Sequence, residues 1–287
     1  MSVSALRRQL EYLDRHFRVV SLSHLQAQLR SGQPLDNHTV VLTVDDGRRN
    51  CYQYLFPLLK EFQMPATLFV VSSFVRGESW IWTDKVQWLA ARSKRPDFLA
   101  PNRIDGFFSV LNKLRPEVRD AHIEAVALTM GVRLRDNPPP QFAPCTWSEL
   151  CEMADSGLVE IGSHTVSHPI LSTLGDEESW AELSLSREHL QDGLGGKVSA
   201  FCFPNGKPGD FRKSQVEQLK ASGYDCAVVT RTGMVTEKAD LYDLPRIGIC
   251  GRIDSLIFSK YLDGADYYQA RLEGTLGMRA MAQSSAQ

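Results

Sequence analysis

Six short apolar runs, rich in β-branched residues and each closed by a turn signal, constrain this chain most. Thr39-Val40-Val41-Leu42-Thr43-Val44 is apolar on both faces and stops at Asp45-Asp46-Gly47. Pro65 to Val71, Leu158 to Gly162, Ser199 to Phe203, Cys226 to Thr230 and Leu244 to Ile249 repeat the pattern. A strand that buries both faces belongs in a parallel sheet covered by helices. Helical segments fall between and before the runs. Leu6, Leu10, Leu13 and Phe17 recur every three or four residues, as do Leu22, Leu25 and Leu29, and each set makes one apolar helix face. Ser21 or Ser23 can cap the second of these helices, and Gly32 and Pro34 end it. Further helices are expected over Cys51 to Phe62, Thr146 to Ser156, Trp180 to Leu190 and Phe211 to Ser222. The second of these starts with Thr146-Trp147-Ser148-Glu149, a capping-box pattern. Strands and helices alternating at this spacing predict an α/β fold with a parallel sheet or barrel.

A stretch of about 77–145 breaks the rhythm. It carries Trp80, Trp82 and Trp88, a helix near Pro116 to Met130, and Pro138-Pro139-Pro140. It is expected to be a helical insertion between two strands that ends in a stiff linker. The three tryptophans have two readings: a small satellite core, or a sugar-stacking wall beside the site. The whole chain, 1–287, is expected to form one domain, with a frayed tail over about 279–287.

With 32 basic and 34 acidic residues the net charge is −2, so no strong field favours nucleic acid or an anionic membrane. Arg92-Ser93-Lys94-Arg95 is the one dense basic cluster and reads as a solvated turn. The six cysteines, at 51, 145, 151, 202, 226 and 250, lack metal-knuckle or redox spacing and read as reduced thiols. No apolar run approaches a membrane span or a signal-peptide core, so the chain reads as cytoplasmic if Met1 is the true start.

Three motifs follow strands: Asp45-Asp46-Gly47, His164-Thr165-Val166-Ser167-His168 and Phe203-Pro204-Asn205-Gly206. Taken singly, each can be an ordinary turn. In parallel sheets and barrels, however, the carboxyl ends of the strands lie on one side, so loops far apart in sequence converge. One Asp and two His on that rim make a three-ligand site with open positions, suited to Zn²⁺ or another divalent ion. A second Asp that does not ligate would be a general base.

These motifs resemble those of the polysaccharide deacetylases, the NodB-homology group. Thr43-Val44-Asp45-Asp46-Gly47 is similar to their T-F-D-D-G motif, His164 to His168 to H-[ST]-x-x-H, and Phe203 to Gly206 to the end of R-x-P-[FY]-G. The resemblance spans about residues 38 to 250. It implies an irregular (β/α) barrel of about seven units. By motif match, Asp45 would be the base, and Asp46, His164 and His168 would hold one divalent metal ion, with Zn²⁺ the first candidate. The backbone N–H of Asn205 would help hold the oxyanion. Cys202 stands where the family has an arginine that orients the base, and no histidine occurs after His189 to match the family's late acid. Exopolysaccharide-type relatives share this pattern and a late P-R-I, here Pro245-Arg246-Ile247. Arg246 is either a surface residue at a strand start or the missing partner of Asp45, reaching it with a two-pronged contact.

The function implied is hydrolysis of the N-acetyl group of an N-acetylhexosamine in a glycan or glycolipid precursor. Two alternatives stay open: an amidohydrolase acting on a non-sugar C–N bond, and a non-catalytic carbohydrate-binding barrel. The expected partner is an N-acetylated carbohydrate, with no nucleic acid and no membrane span.

Overall fold

Every strand of the sheet runs parallel to the next, in chain order. The computed structural model describes residues 1–92, 101–135, 137–249 and 255–262. Helix α1 (Val3–His16) leads into β1 (Arg18–Val20), then α2 (Leu22–Ser31), β2 (Thr39–Val44), α3 (Phe56–Phe62) and β3 (Ala66–Val70). A short α4 (Ser72–Val75) precedes the insertion helices α5 (Trp82–Ala90), α6 (Pro101–Leu111) and α7 (Pro116–Thr129). The alternation resumes with α8 (Trp147–Asp155), β4 (Val159–Ser163), α9 (Asp176–Leu194), β5 (Ala200–Cys202), α10 (Lys213–Ala221) and β6 (Cys226–Val228). The last described element is α11 (Ser255–Leu262). The six strands curl into a half-barrel of order β1-β2-β3-β4-β5-β6.

Local chemistry explains the helix ends. Ser21 Oγ accepts from His24 N at 3.1 Å, so Ser21 rather than Ser23 caps α2. Gly32, left-handed at φ 66°, closes that helix. Thr146 and Glu149 complete their expected capping box: Thr146 Oγ1 accepts from Glu149 N at 3.2 Å, and Glu149 Oε2 accepts from Thr146 N at 2.8 Å. Helix α9 extends several residues beyond Trp180 to Leu190, because Asp176, Glu177 and Glu178 suit its positive N-terminus. The expected Cys51 to Phe62 helix begins with a π-helical turn over Cys51–Leu55.

Three sequence expectations need correction. Leu244 to Ile249 is not a strand. Leu244 makes a single parallel bridge to Val228, and Pro245 has no N–H to carry the ladder on. With that run lost and β1 gained, the described sheet has six strands. Strand β1 was not expected, since three residues are too few to show a period. Strand β2 is half-buried along its length instead of fully buried. Its first half pairs only with β1 (Arg18↔Thr39 to Val20↔Val41) and its second half only with β3 (Leu42↔Ala66 to Val44↔Leu68).

Alternation along the strands divides the core. Leu68, Val70, Phe201, Phe203, Ala227 and Val229 join the large cluster under α1, α3, α8 and α9. Phe69, Ala200, Cys202, Cys226 and Val228 face the other way and meet Leu22 and Leu25 of α2. That second face is the barrel interior, and it matters below because Cys202 lies on it. The insertion has its own core, in which Trp80, Trp82 and Trp88 are all at most 6% exposed among Phe74, Leu111 and Ile123. The tryptophans are thus satellite core, and the sugar-stacking wall is withdrawn. Arg92 lies over the Trp88 ring at 3.9 Å; Ser93, Lys94, Arg95, Cys250 and the expected frayed tail are outside the described residues. Cys51, Cys145, Cys151, Cys202 and Cys226 are free thiols, and no described helix is long and apolar enough to cross a membrane.

Candidate active site

Loops leaving β2, β4 and β5 meet at one end of the sheet, and their backbones are unusual. Six described non-glycine residues have positive φ, and four of them are here: Asp46 (81°), Thr165 (70°), His168 (59°) and Asn205 (59°). Each such position costs on the order of 1–3 kcal/mol and persists only where its surroundings enforce it. In two loops a glycine follows the strained residue. Gly47 is at φ 80°, and a Cβ there would meet Val70 Cγ1 at 3.0 Å. Gly206 is at φ 60°, and a Cβ there would meet Phe203 O at 3.0 Å. Glycine is required at both, for conformation and for space.

The turn after β2 sends two neighbouring carboxylates into different surroundings. Asp45 meets Arg246 in a fork, Nη1 to Oδ1 at 2.7 Å and Nη2 to Oδ2 at 2.9 Å. The same guanidinium donates to Thr43 Oγ1 at 3.2 Å, to Val229 O at 3.2 Å and to Cys202 Sγ at 3.1 Å. Burial works to raise the Asp45 carboxyl, but the Arg246 charge, the neighbouring His164 and the Arg246 fork outweigh it and hold it at about 2. Burial also pushes the Cys202 thiol far up, so it stays protonated and donates to Asp45 Oδ2 at 3.6 Å. Both Asp45 oxygens are therefore committed to donors.

Asp46 is held differently. Its Oδ2 lies 2.9 Å from Arg48 Nη2, while its Oδ1 faces two imidazoles, 3.8 Å from His164 Nε2 and 3.6 Å from His168 Nε2. Arg48 also grips Asp84 of α5, with Nε 3.1 Å from Oδ2 and Nη2 on Oδ1. Asp84 is fully buried. Burial pushes its carboxyl up to about 7, against the pull of Arg48 and with a further push from Asp46.

The histidine loop is tied from several sides. His164 N donates to Val70 O, and its Nδ1 donates to Cys202 O at 2.7 Å, which leaves the Nε2 lone pair facing Asp46. Thr165 Oγ1 donates to His164 O and accepts from His168 N. Glu182 of α9 accepts from Val166 N, Ser167 N and Ser167 Oγ at 2.8, 2.9 and 2.6 Å. Trp82 Nε1 donates to His168 O at 3.0 Å. His168 is buried, and its Nδ1 has no partner among the described residues. Burial, then the neighbouring His164, lowers its pKa to about 4, so it is a neutral imidazole at ordinary pH.

The donor set suits a divalent metal ion. Tetrahedral ligands about 2.1 Å from an ion lie about 3.4 Å from one another. The Asp46, His164 and His168 ligand atoms all lie within 4.8 Å of one another, with the carboxylate 3.6 and 3.8 Å from the two nitrogens. A small inward movement would close them on one ion. Asp45, His164 and Cys202 form a second group at that spacing, but Arg246 already fills it. Asn205 sits beyond β5 with its Nδ2 on Asp210 Oδ2 at 2.6 Å and its carbonyl accepting from Thr230 Oγ1. Its side chain is thus turned to its own loop, and the backbone is what it can offer a ligand.

The structure thus gathers Asp45, Asp46, His164, His168 and Arg246 into one cluster, with Asn205 in the adjoining loop. Arg48, Asp84 and Glu182 belong to it as well. Sequence reasoning passed over these three, and only Arg48, next to the Asp-Asp-Gly turn, stood where a signal could have been sought.

Known proteins resemble this chain in sequence and in fold. A poly-beta-1,6-N-acetyl-D-glucosamine N-deacetylase of Escherichia coli (strain K12) is 24% identical over 250 residues, covering 85% of this chain. The chain spans 33% of that relative's length. The Streptococcus pyogenes deacetylase PplD, solved in complex with acetate, superposes with a TM-score of 0.63 at 17% identity, covering 91% of this chain and 86% of that one. IcaB from Ammonifex degensii gives 0.61 at 19% identity, covering 94% and 90%. The polysaccharide deacetylase family profile matches residues 32–227, more than half of the 287. The chain belongs to the polysaccharide deacetylase family.

Proposed function

We propose that this protein is a divalent-metal-dependent hydrolase that removes the N-acetyl group from an N-acetylhexosamine unit of a polysaccharide, oligosaccharide or glycolipid precursor. The observation that carries the reading is the division of labour between neighbours. Asp45 has both oxygens engaged by an arginine fork, while Asp46 keeps one oxygen for two imidazoles.

Asp46, His164 and His168 would hold the ion, Zn²⁺ being the first to try. Bound there, it would polarise the acetyl carbonyl and lower the pKa of water to about 7. Asp45 is the general base and takes the proton from the attacking water. Arg246 is its positioning residue: the fork fixes the carboxylate's direction and keeps it ionised, and Cys202 adds a third donor. The backbone N–H of Asn205, presented by the left-handed turn before Gly206, donates to the acyl oxygen as negative charge develops. The chain, insertion included, acts as one catalytic unit.

The Escherichia coli relative's name makes β-1,6-linked N-acetylglucosamine oligomers the first substrates to try. Acetate release should be measured on these, on β-1,4-linked oligomers and on non-sugar amides, with and without added Zn²⁺. Metal-dependent release from at least one N-acetylated oligomer is expected. Release from non-sugar amides alone would move the activity to another amidohydrolase class. No release from any of them, in a protein that still binds the sugars, would make the barrel a binding module.

A further inference from the structure

The first turn of α5 reaches both segments that carry the metal ligands. Asp84 grips Arg48, which holds Asp46 Oδ2, and two residues earlier Trp82 donates to the carbonyl of His168. Both side chains are at most 3% exposed, and both come from the insertion rather than from the barrel. The same turn rests on α7, where the buried Arg119 guanidinium lies 4.9 Å over the Trp82 ring. The insertion core is therefore fastened to the metal-ligand loops at two points.

The charges along the first contact are informative. A carboxylate meant for a dication is poorly served by a guanidinium at 2.9 Å, because that cation competes for the same charge. Arg48 nevertheless has a structural use. By taking Oδ2 it turns Oδ1 toward the imidazoles and supports Asp46 at φ 81°. Asp84 resolves the conflict. Its two oxygens both contact Arg48, so with Asp84 ionised the Asp46–Arg48–Asp84 chain keeps one net negative charge. Arg48 can then orient the ligand without cancelling it. Partners of metal ligands commonly change affinity on the order of 10–100-fold when removed.

We propose that Asp84, acting through Arg48, is a positioning residue for the metal site, and that the insertion thereby sets the protein's affinity for its divalent ion. This rests on Asp46, His164 and His168 holding that ion. The test is Zn²⁺ affinity by competition with a chromogenic chelator at pH 8, where Asp84 is ionised. Wild type, Asp84→Asn and the double variant Arg48→Met/Asp84→Asn are compared, with melting temperature in EDTA as the check on folding. Asp84→Asn leaves the Arg48 charge facing Asp46 unopposed, so affinity should fall about tenfold or more. Removing that charge in the double variant should recover most of the loss, a rescue that a purely structural role for Asp84 would not give. If wild type binds no Zn²⁺, the metal reading itself fails and the inference with it. If wild type binds one ion and Asp84→Asn matches it within about twofold, only the inference falls. A loss that Arg48→Met does not relieve would likewise reduce Asp84 to a packing role.

Discussion

Asp45 and Asp46 are consecutive, alike in chemistry and each in contact with an arginine, yet their surroundings differ on every other count. On the Asp45 side, Arg246 arrives from 201 positions away, across the barrel interior, and occupies both oxygens. On the Asp46 side, Arg48 is two residues away, occupies one oxygen and is itself held by Asp84. A carboxylate with both oxygens engaged by donors is poorly placed to ligate an ion but well placed to stay ionised and aimed. One with a free oxygen facing two imidazoles can ligate. On the proposed reading, what separates base from ligand is the number of oxygens each arginine takes.

The largest expected effect is on the Asp45 side. Asp45→Asn should lower kcat by on the order of a hundredfold to ten-thousandfold while the fold and the bound metal persist. Turnover at the wild-type rate would make Asp45 a turn residue.

On the Asp46 side, His168 gives a pH-dependent prediction for the metal-free protein. Its pKa falls from 6.5 unfolded to about 4 folded, so the unfolded chain binds the extra proton between those values. Its contribution is fully present above pH 6.5 and is lost as pH falls through 4, about 3 kcal/mol in all. Denaturant unfolding in EDTA should show that slope, and His168→Gln should flatten it. An unchanged slope in the variant would assign the pH dependence elsewhere.

Arg246 tests the fork itself. Arg246→Lys keeps the charge and loses the second prong, so kcat should fall on the order of a hundredfold, nearly as far as in Arg246→Ala. In Arg246→Ala burial is opposed only by His164 and the Cys202 donor, so the Asp45 carboxyl should rise from about 2 and carry the acid limb of the pH–rate profile upward. Full activity in both variants with an unmoved acid limb would remove Arg246 from the mechanism. The smallest effect belongs to Trp82→Phe, which keeps the ring's packing but loses the hydrogen bond to His168 O. Stability should drop by about 1 kcal/mol and metal affinity by severalfold at most. A collapse of the fold would mean the ring itself, not its N–H, secures the loop.

The two sides also differ in how legible they were. The convergence of Asp45, Asp46, His164 and His168 could be read because each motif follows a strand, and parallel strands bring their carboxyl ends together whatever the sequence distance. Arg246 could be sought because Cys202 left the base without a named partner. Asp84 gave no such signal. It lies inside the stretch that breaks the βα rhythm, and only tertiary packing of the tryptophan core delivers it to Arg48. The same packing explains the tryptophans: six residues apart, Trp82 and Trp88 do not share one helical face, yet a core that surrounds the helix buries both. Pro245 was present in the sequence as a warning against a strand over Leu244 to Ile249, and the apolar run around it obscured that warning.

The claim that these neighbours have separate tasks is tested most directly by metal content. Asp45→Asn and Asp46→Asn are nearly isosteric, differ by one position and each remove one charge, so any difference between them reports the task and not the charge. Elemental analysis of both proteins after equilibration with Zn²⁺ and desalting should find about one ion per chain in Asp45→Asn, as in wild type, and almost none in Asp46→Asn. Equal metal content in the two variants, or loss in Asp45→Asn alone, would contradict the account.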